Sequence, residues 1–308
     1  MGVWIDTDMG FDDIAAILVV MHADLPIDGI SLVFGNTPLD QVRRNAAGAA
    51  KAFGWTVPIH GGREMPVMGQ IETAQMILGD SGIPTAGLTL PDADEHPPSD
   101  AFTAMCHWLE TAPAPRRILA LGPLTNLAAV VLARPDLAAR IDDLTWMGGG
   151  LTRGNHTASA EFNAFADPEA VAIVLSHNLP LRMVDLDFCR RVLAGPSEVL
   201  PIRDAGGTNA GLIADMLAGF IAIATSRGRS AMALYDPAAA AAFVRQDLVT
   251  FQSARIDMEC AGGLTRGRTV VETRQTHGTF NAEFAADCEA VGVKNVVMDA
   301  LLWEASKR

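Results

Sequence analysis

Asp6, Asp8, Asp12 and Asp13 crowd into the eight-residue run DTDMGFDD near the start of the chain. Val3 to Ile5 reads as a buried strand, so Asp6 and Asp8, two apart at its end, are expected to project to the same side. Gly10 permits a sharp turn, and Asp12 and Asp13 open the next helix. Four like charges at this spacing repel strongly. A helix amino terminus recovers about 0.3–1 kcal/mol per charge, too little to gather four acids at one strand end. A bound cation is the economical explanation, and an all-oxygen set with no nearby Cys or His suits Ca²⁺ or Mg²⁺ better than zinc. The blander reading has Asp12 capping the helix and the other carboxylates solvated; the strand–turn–helix setting weighs against it.

Such a cluster needs a rigid frame, and the pattern of apolar runs supplies one. Strands are expected at Val3 to Ile5, Gly29 to Phe34, Val57 to His60, Arg117 to Leu121, Leu144 to Met147 and Leu181 to Val184. Amphipathic stretches between them read as helices from about Asp12 to Ala23, Leu39 to Phe53, Asn126 to Ala133 and Pro168 to Ser176. Alternation of this kind predicts an α/β fold, an open and mostly parallel β-sheet with helices on both faces. After Gly206 the chain reads as more helical, through Leu212 to Thr225 and Pro237 to Phe243. Late strands are expected at Val270 to Thr273 and Phe280 to Ala285, and a closing helix at Val296 to Trp303. The Gly- and Pro-rich stretch from Gly61 to Ser99 reads as a long loop over the carboxyl edge, where ligands bind in such sheets. With no repeat or linker in view, residues 1–308 are expected to form a single domain.

The 308 residues are 49% hydrophobic, enough for a large core, and carry a formal charge of −13. That balance argues against a nucleic-acid partner, whose binding needs a basic surface. It leaves room for a divalent cation or a neutral small substrate. Cys106, Cys189, Cys260 and Cys288 are far apart and read as reduced thiols. Aspartates fall where the apolar part of a signal peptide would run, and the longest apolar stretches fall short of the roughly 20 residues a membrane span needs. The expectation is a cytoplasmic protein without a membrane partner.

The run DTDMGFDD resembles the nucleoside hydrolase signature D-x-D-x-G-x-D-D. Haloacid-dehalogenase-type phosphatases also open with D-x-D, but that motif wants Thr or Val where this chain has Gly10. The nucleoside hydrolase resemblance recurs in order in VFGN (33–36), LGPLTNLA (121–128), WMGGG (146–150), GNHTASAEFNAFADPEA (154–170) and YDPAA (235–239). It spans residue 3 to about 240 and implies the family's Rossmann-like fold and calcium-dependent cleavage of a ribonucleoside into ribose and free base. Asp8, Asp13, Asp236 and the backbone carbonyl of Leu121 would hold Ca²⁺, with the sugar's 2′- and 3′-hydroxyls completing its shell. Asp8 would also be the general base, acting on a metal-bound water. Asp12, Asn36, Asn155, Glu161 and Asn163 would hold the ribose hydroxyls, Met147 would line the pocket, and Asp6 would support the metal ligands. Relatives are usually homo-oligomers, so a dimer or tetramer is expected. Locally, Asp167 reads as a helix N-cap, an account that gives no reason for Glu161 or Asn163. Pro123 reads as starting a helix whose backbone Thr125 or Asn126 serves. The Gly148 to Gly150 run reads as a turn or a close approach to ligand.

Two positions depart from the family pattern. Many members carry His before the late metal-binding Asp, and a second His in the loop after the third strand; here Tyr235 and Leu78 stand in those places. Three roles are open to Tyr235: proton donor to the departing base, stacking partner of that base, or simple packing. His156 beside Asn155 and His60 at the third strand's end are the histidines nearest the expected site, while His22, His96, His107, His177 and His277 read as ordinary. Two other functions remain in view, a calcium-dependent ribose or nucleoside binding protein and a hydrolase of a non-standard ribosyl compound. Asp8 beside Asp13 favours an enzyme, because a pure binder needs no base.

Overall fold

The computed structural model describes residues 2–93 and 99–308. His96 and the 94–98 part of the expected long loop lie outside the described residues. The strands, in chain order, are β1 (Val3–Thr7), β2 (Ile27–Leu32), β3 (Ile59–Gly61), β4 (Ser99–Asp100), β5 (Arg117–Ala120), β6 (Asp143–Met147), β7 (Leu181–Val184), β8 (Leu193–Ala194), β9 (Met232–Ala233), β10 (Val249–Met258), β11 (Thr269–Glu272) and β12 (Ala282–Cys288). Ten of them form one sheet in the order β11-β10-β12-β7-β6-β5-β1-β2-β3-β4, and β8 pairs with β9 separately. From β12 to β4 the neighbours are parallel; β10 runs antiparallel to both β12 and β11.

Every residue of β1 is buried because helices cover both faces of the sheet. Val3 and Ile5 enter one core, with the helices Phe11–His22, Leu39–Phe53, Ala210–Thr225, Tyr235–Val244 and Ala290–Ala305. Trp4, on the opposite face, enters a second core with the helices Ala101–Thr111, Thr125–Ala133 and Pro168–Ser176. The expected α/β architecture is therefore present, with several boundaries moved by one or two residues. The longest elements that escaped the sequence reading are the ten-residue strand β10 and the helix Ala101–Thr111; shorter ones, among them β8, β9 and the helices Leu186–Cys189 and Val199–Asp204, escaped it too.

This topology decides where a site can lie. The chain leaves β1 toward β2, β3 and β4 on one side, then returns to β5 and proceeds outward on the other. The parallel register aligns Asp6 with Ser31 and Ala120, and Ala120 with Trp146. The turns that follow β1, β2, β5 and β6 therefore meet at one edge, around the reversal of strand order where open α/β sheets bind ligands. Among the described residues, no helix is long and apolar enough to cross a membrane.

Candidate active site

Past β1 the chain bends through Met9, a buried residue with φ of 47°, a left-handed conformation uncommon outside glycine. The bend parts Asp8 from Asp6. Asp6 stays on the side of Trp4, where its Oδ1 accepts from the Ser31 hydroxyl and from Asn126 Nδ2 (2.7 Å), while Oδ2 is buried without a partner. Asp8 instead accepts from the Asn36 amide (2.7 Å) and Asn36 Nδ2 (2.9 Å). A Cβ on Gly35 would fall 2.0 Å from Asp8 Oδ2, so glycine is what lets the VFGN loop close on that carboxylate.

Asp13 accepts from the Gly10 amide at 2.8 Å, and also from the Thr7 hydroxyl and Asn36 Nδ2 (3.2 Å). It lies within hydrogen-bond reach of both Asp8 and Asp236. Asp236 arrives from the far end of the sequence on the first turn of the helix Tyr235–Val244, which packs on the helix Phe11–His22. Carboxylate oxygens of Asp12, Asp13 and Asp236 all lie within 4.8 Å of one another. This converging set contains Asp12 where the sequence reading expected Asp8; Asp8 adjoins it through Asp13, and Asp6 stands apart.

Asp8, Asp13 and Asp236 are almost fully buried, and Asp12 is partly exposed. Loss of water raises the pKa of all four, and repulsion from neighbouring carboxylates adds to it for Asp8, Asp12 and Asp236, with Asp12 pushed to about 8. A buried set of like charges needs protons or a cation to neutralise it, and these donors, all hard oxygens, fit Ca²⁺. The consequence for stability has a definite sign. Each group's folded pKa exceeds its ordinary 3.8, so its contribution is whole below that value and is lost as pH rises through the folded pKa. Chelated protein should therefore lose Tm steadily between about pH 4 and pH 8, and Ca²⁺ should raise Tm more at pH 8 than at pH 5. Calorimetric scans with and without chelator check this; a calcium shift equal at both pH values would contradict it.

The remaining expected residues are distributed around the cluster. Asn163 Nδ2 donates to the carbonyls of Leu121 (2.8 Å) and Met147 (3.0 Å), clasping the ends of β5 and β6. Glu161 is buried and its pKa rises to about 7 through that burial, although its oxygens accept from the amides of Gly149, Asn163 and Ala164. It is thus an N-cap for the helix Phe162–Ala166, a local role that the sequence reading gave to Asp167 alone. Asp167 does cap the helix Pro168–Ser176, and it also accepts from Thr125 and from Val67 of the long loop. Thr125 and Asn126 reach other segments rather than their own helix: Asn126 bridges Asp6, the Leu32 carbonyl and the Arg63 amide. Asn155 is exposed and accepts from the Phe162 amide at 3.0 Å.

Tyr235 is half-buried at the head of its helix, with Cys189, Arg190 and Asp12 among its neighbours, and burial pushes its phenol up to about 12. Leu78 ends a short helix, Gln75–Leu78, in the long loop. His156 packs against Phe162 and Phe165, His60 stacks on Trp4, and His22 meets Trp303. Of the cysteines, Cys106 and Cys189 are buried; all four are free thiols.

Comparison with known proteins identifies the family and the fold. The family model described as inosine-uridine preferring nucleoside hydrolase matches residues 3–295. A non-specific ribonucleoside hydrolase, RihC, from Salmonella paratyphi B is 32% identical over 302 residues, covering 97% of each chain. Among solved structures, a purine-preferring ribonucleoside hydrolase from Gardnerella vaginalis superposes with a TM-score of 0.91 at 26% identity, over 99% of both chains. A plant nucleoside hydrolase, PpNRh1, shares the fold with a TM-score of 0.88 at 23% identity, over 97% of this chain and 98% of its own. The chain belongs to the inosine-uridine preferring nucleoside hydrolase family, whose members are hydrolases of N-glycosyl bonds.

Proposed function

We propose that this protein hydrolyses ribonucleosides to ribose and free base in a calcium-dependent reaction, with Asp8 as the general base. The observation that carries this reading is the convergence of carboxylates from both ends of the chain at the reversal of strand order. Asp8, Asp13, Asp236 and the Leu121 carbonyl would hold the ion, which when bound would supply Lewis-acid activation of the attacking water and a hold on the sugar's 2′- and 3′-hydroxyls. Asp12, the partly exposed carboxylate of the group, is assigned to a sugar hydroxyl, together with Asn36, Asn155, Glu161 and Asn163. Asp8 is oriented for the base role by two bonds from Asn36. Positive charge that develops on the sugar ring during cleavage is stabilised by the surrounding carboxylates. Met147 is assigned to the lining of the pocket.

Tyr235 is assigned to the base side of the site as a packing and stacking surface. Its phenol, made a still weaker acid by burial, is poorly suited to protonate a leaving group. Tyr235→Phe should keep kcat within roughly threefold of wild type, whereas removal of a general acid typically costs 10²–10⁴. Tyr235→Ala should raise KM by up to about tenfold, the worth of one aromatic contact. A hundredfold loss of kcat in the Phe variant would restore the proton-donor role.

Release of reducing sugar from inosine, uridine, cytidine and adenosine tests the function itself. Turnover of at least one is expected; calorimetric binding of ribose without release from any of them would support a binding protein instead. A homodimer or homotetramer in the cytoplasm is part of the same reading, and sedimentation decides the assembly.

A further inference from the structure

Between β6 and Asn155 the backbone is held by side chains from other elements as well as by backbone bonds, in which the amides of Gly148, Gly154 and Asn155 donate to the carbonyls of Val184, Ala158 and Ala160. The Gly149 amide donates to Glu161 (2.9 Å), and the Leu186 amide donates to the Gly149 carbonyl (3.1 Å). Thr269 both donates to the Gly150 carbonyl and accepts from the Gly150 amide, each at 2.9 Å. Gly149 has φ of 74°, and a Cβ there would fall 2.8 Å from Met183 Sδ and from the Thr269 methyl, so the loop sits tight on its brace. Asp187 accepts from the amides of Leu151 (2.7 Å) and Thr152 (2.9 Å) and from the Thr152 hydroxyl. Arg190 donates to the carbonyls of Arg153 and Gly154, both at 2.9 Å. Arg268 donates to those of Thr152 (2.8 Å) and Leu151 (3.1 Å).

These bonds do little for the core. Thr152, Arg153 and Asn155 are exposed, and the side chains of Asp187 and Arg190 each keep 24% of their surface open to solvent. An exposed loop with little apolar burial is ordinarily mobile, because nothing offsets the entropy lost on ordering it. Here both amides and carbonyls are matched to charged partners, and the planar arginine fork spans two adjacent carbonyls as a lysine could not. The held segment ends at Asn155, whose side-chain carbonyl is fixed in turn by the Phe162 amide.

We propose that Asp187 and Arg190, braced by Arg268 and Thr269, are positioning residues that set the Asn155 loop in place before the ribosyl substrate arrives. Ordering the loop in advance removes a cost that binding would otherwise carry. The antiparallel edge of the sheet acquires a purpose by the same account, since β11 supplies part of the brace. The inference rests on the substrate contact proposed for Asn155.

A double-mutant cycle and amide exchange test it together. Asn155→Ala and Arg190→Ala should each raise KM about tenfold, the scale of one hydrogen bond, with kcat within roughly threefold and Tm nearly unchanged. The double variant should be no worse than Asn155→Ala alone. Additive losses would overturn the clamp while leaving the contact intact, and an unaffected Asn155→Ala would overturn both. Exchange at the Leu151 and Thr152 amides should quicken at least tenfold in Asp187→Ala, a readout independent of turnover. Unchanged exchange would sink the clamp whatever the kinetics. Absence of hydrolysis in the wild-type protein, with fast exchange in the variant, would instead reject only the proposed reaction.

Discussion

Asp8→Ala should retain less than about 1% of wild-type kcat, since loss of a general base typically costs 10²–10⁴ in rate. The expectation rests on how firmly the carboxylate is aimed. Two donors from Asn36 fix its oxygens, and Gly35 lets that loop approach without a clash. Asp8→Asn should fail almost as badly, because an amide keeps the shape but cannot take the proton. Asp8→Asn should keep its stability in the absence of calcium, whereas Asp8→Ala also gives up the two Asn36 hydrogen bonds. Asp8 carries a pKa well above the carboxylate range through burial and the neighbouring Asp13, so removing the charge relieves repulsion rather than breaking an ion pair. Steady-state kinetics at saturating Ca²⁺, with Tm measured in parallel, separate the two effects. Near-wild-type turnover in Asp8→Ala would reject the assignment.

Chelation should produce a loss of comparable size. Treatment with EDTA should lower the hydrolysis rate at least about a hundredfold, and added Ca²⁺ should restore it, because in the proposed reaction the bound cation would both position the diol and activate the water. Mg²⁺ should restore less, since it demands tighter octahedral geometry and gives up its own water reluctantly. Asp236→Asn should mimic chelation and need far more Ca²⁺ for any activity, because one of the converging carboxylates is gone. Full turnover in EDTA would remove the metal from the mechanism.

Elements with local signals were readable from the chain. The helix Leu39–Phe53 stops where expected because Gly54 takes a left-handed φ of 65°. Pro168–Ser176 begins after a true N-cap at Asp167. By contrast, β10 carries Thr250, Gln252, Ser253, Arg255 and Asp257 along its length, and this polar sequence near the sheet's edge conceals a strand whose hydrogen bonds go to β11 and β12. The helix Ala101–Thr111 had a usable signal, Asp100 accepting from the Thr103 amide, hidden by its position at the end of a Gly- and Pro-rich stretch.

The site divides along the same line. Asp8, Asp12 and Asp13 are neighbours in sequence, so spacing alone suggested a cluster. Asp236 came only through the family resemblance, since nothing near it announces a partner at the other end of the chain. Spacing alone did not reveal the different fates of Asp6 and Asp8, which only the family resemblance distinguished, because the turn at Met9 separates two residues that an ideal strand would align. Nor was the brace formed by Asp187, Arg190, Arg268 and Thr269. Its partners are backbone groups, 36 or 37 residues away for Arg190 and up to 119 for Thr269, and a backbone group has no side-chain identity to read.

A crystal structure with Ca²⁺ and ribose tests the central claim most directly. The account predicts one ion, about 2.3–2.6 Å from oxygens of Asp8, Asp13, Asp236 and the Leu121 carbonyl, with two ribose hydroxyls completing its shell. An ion bound elsewhere, or a sugar seated away from these carboxylates, would contradict it.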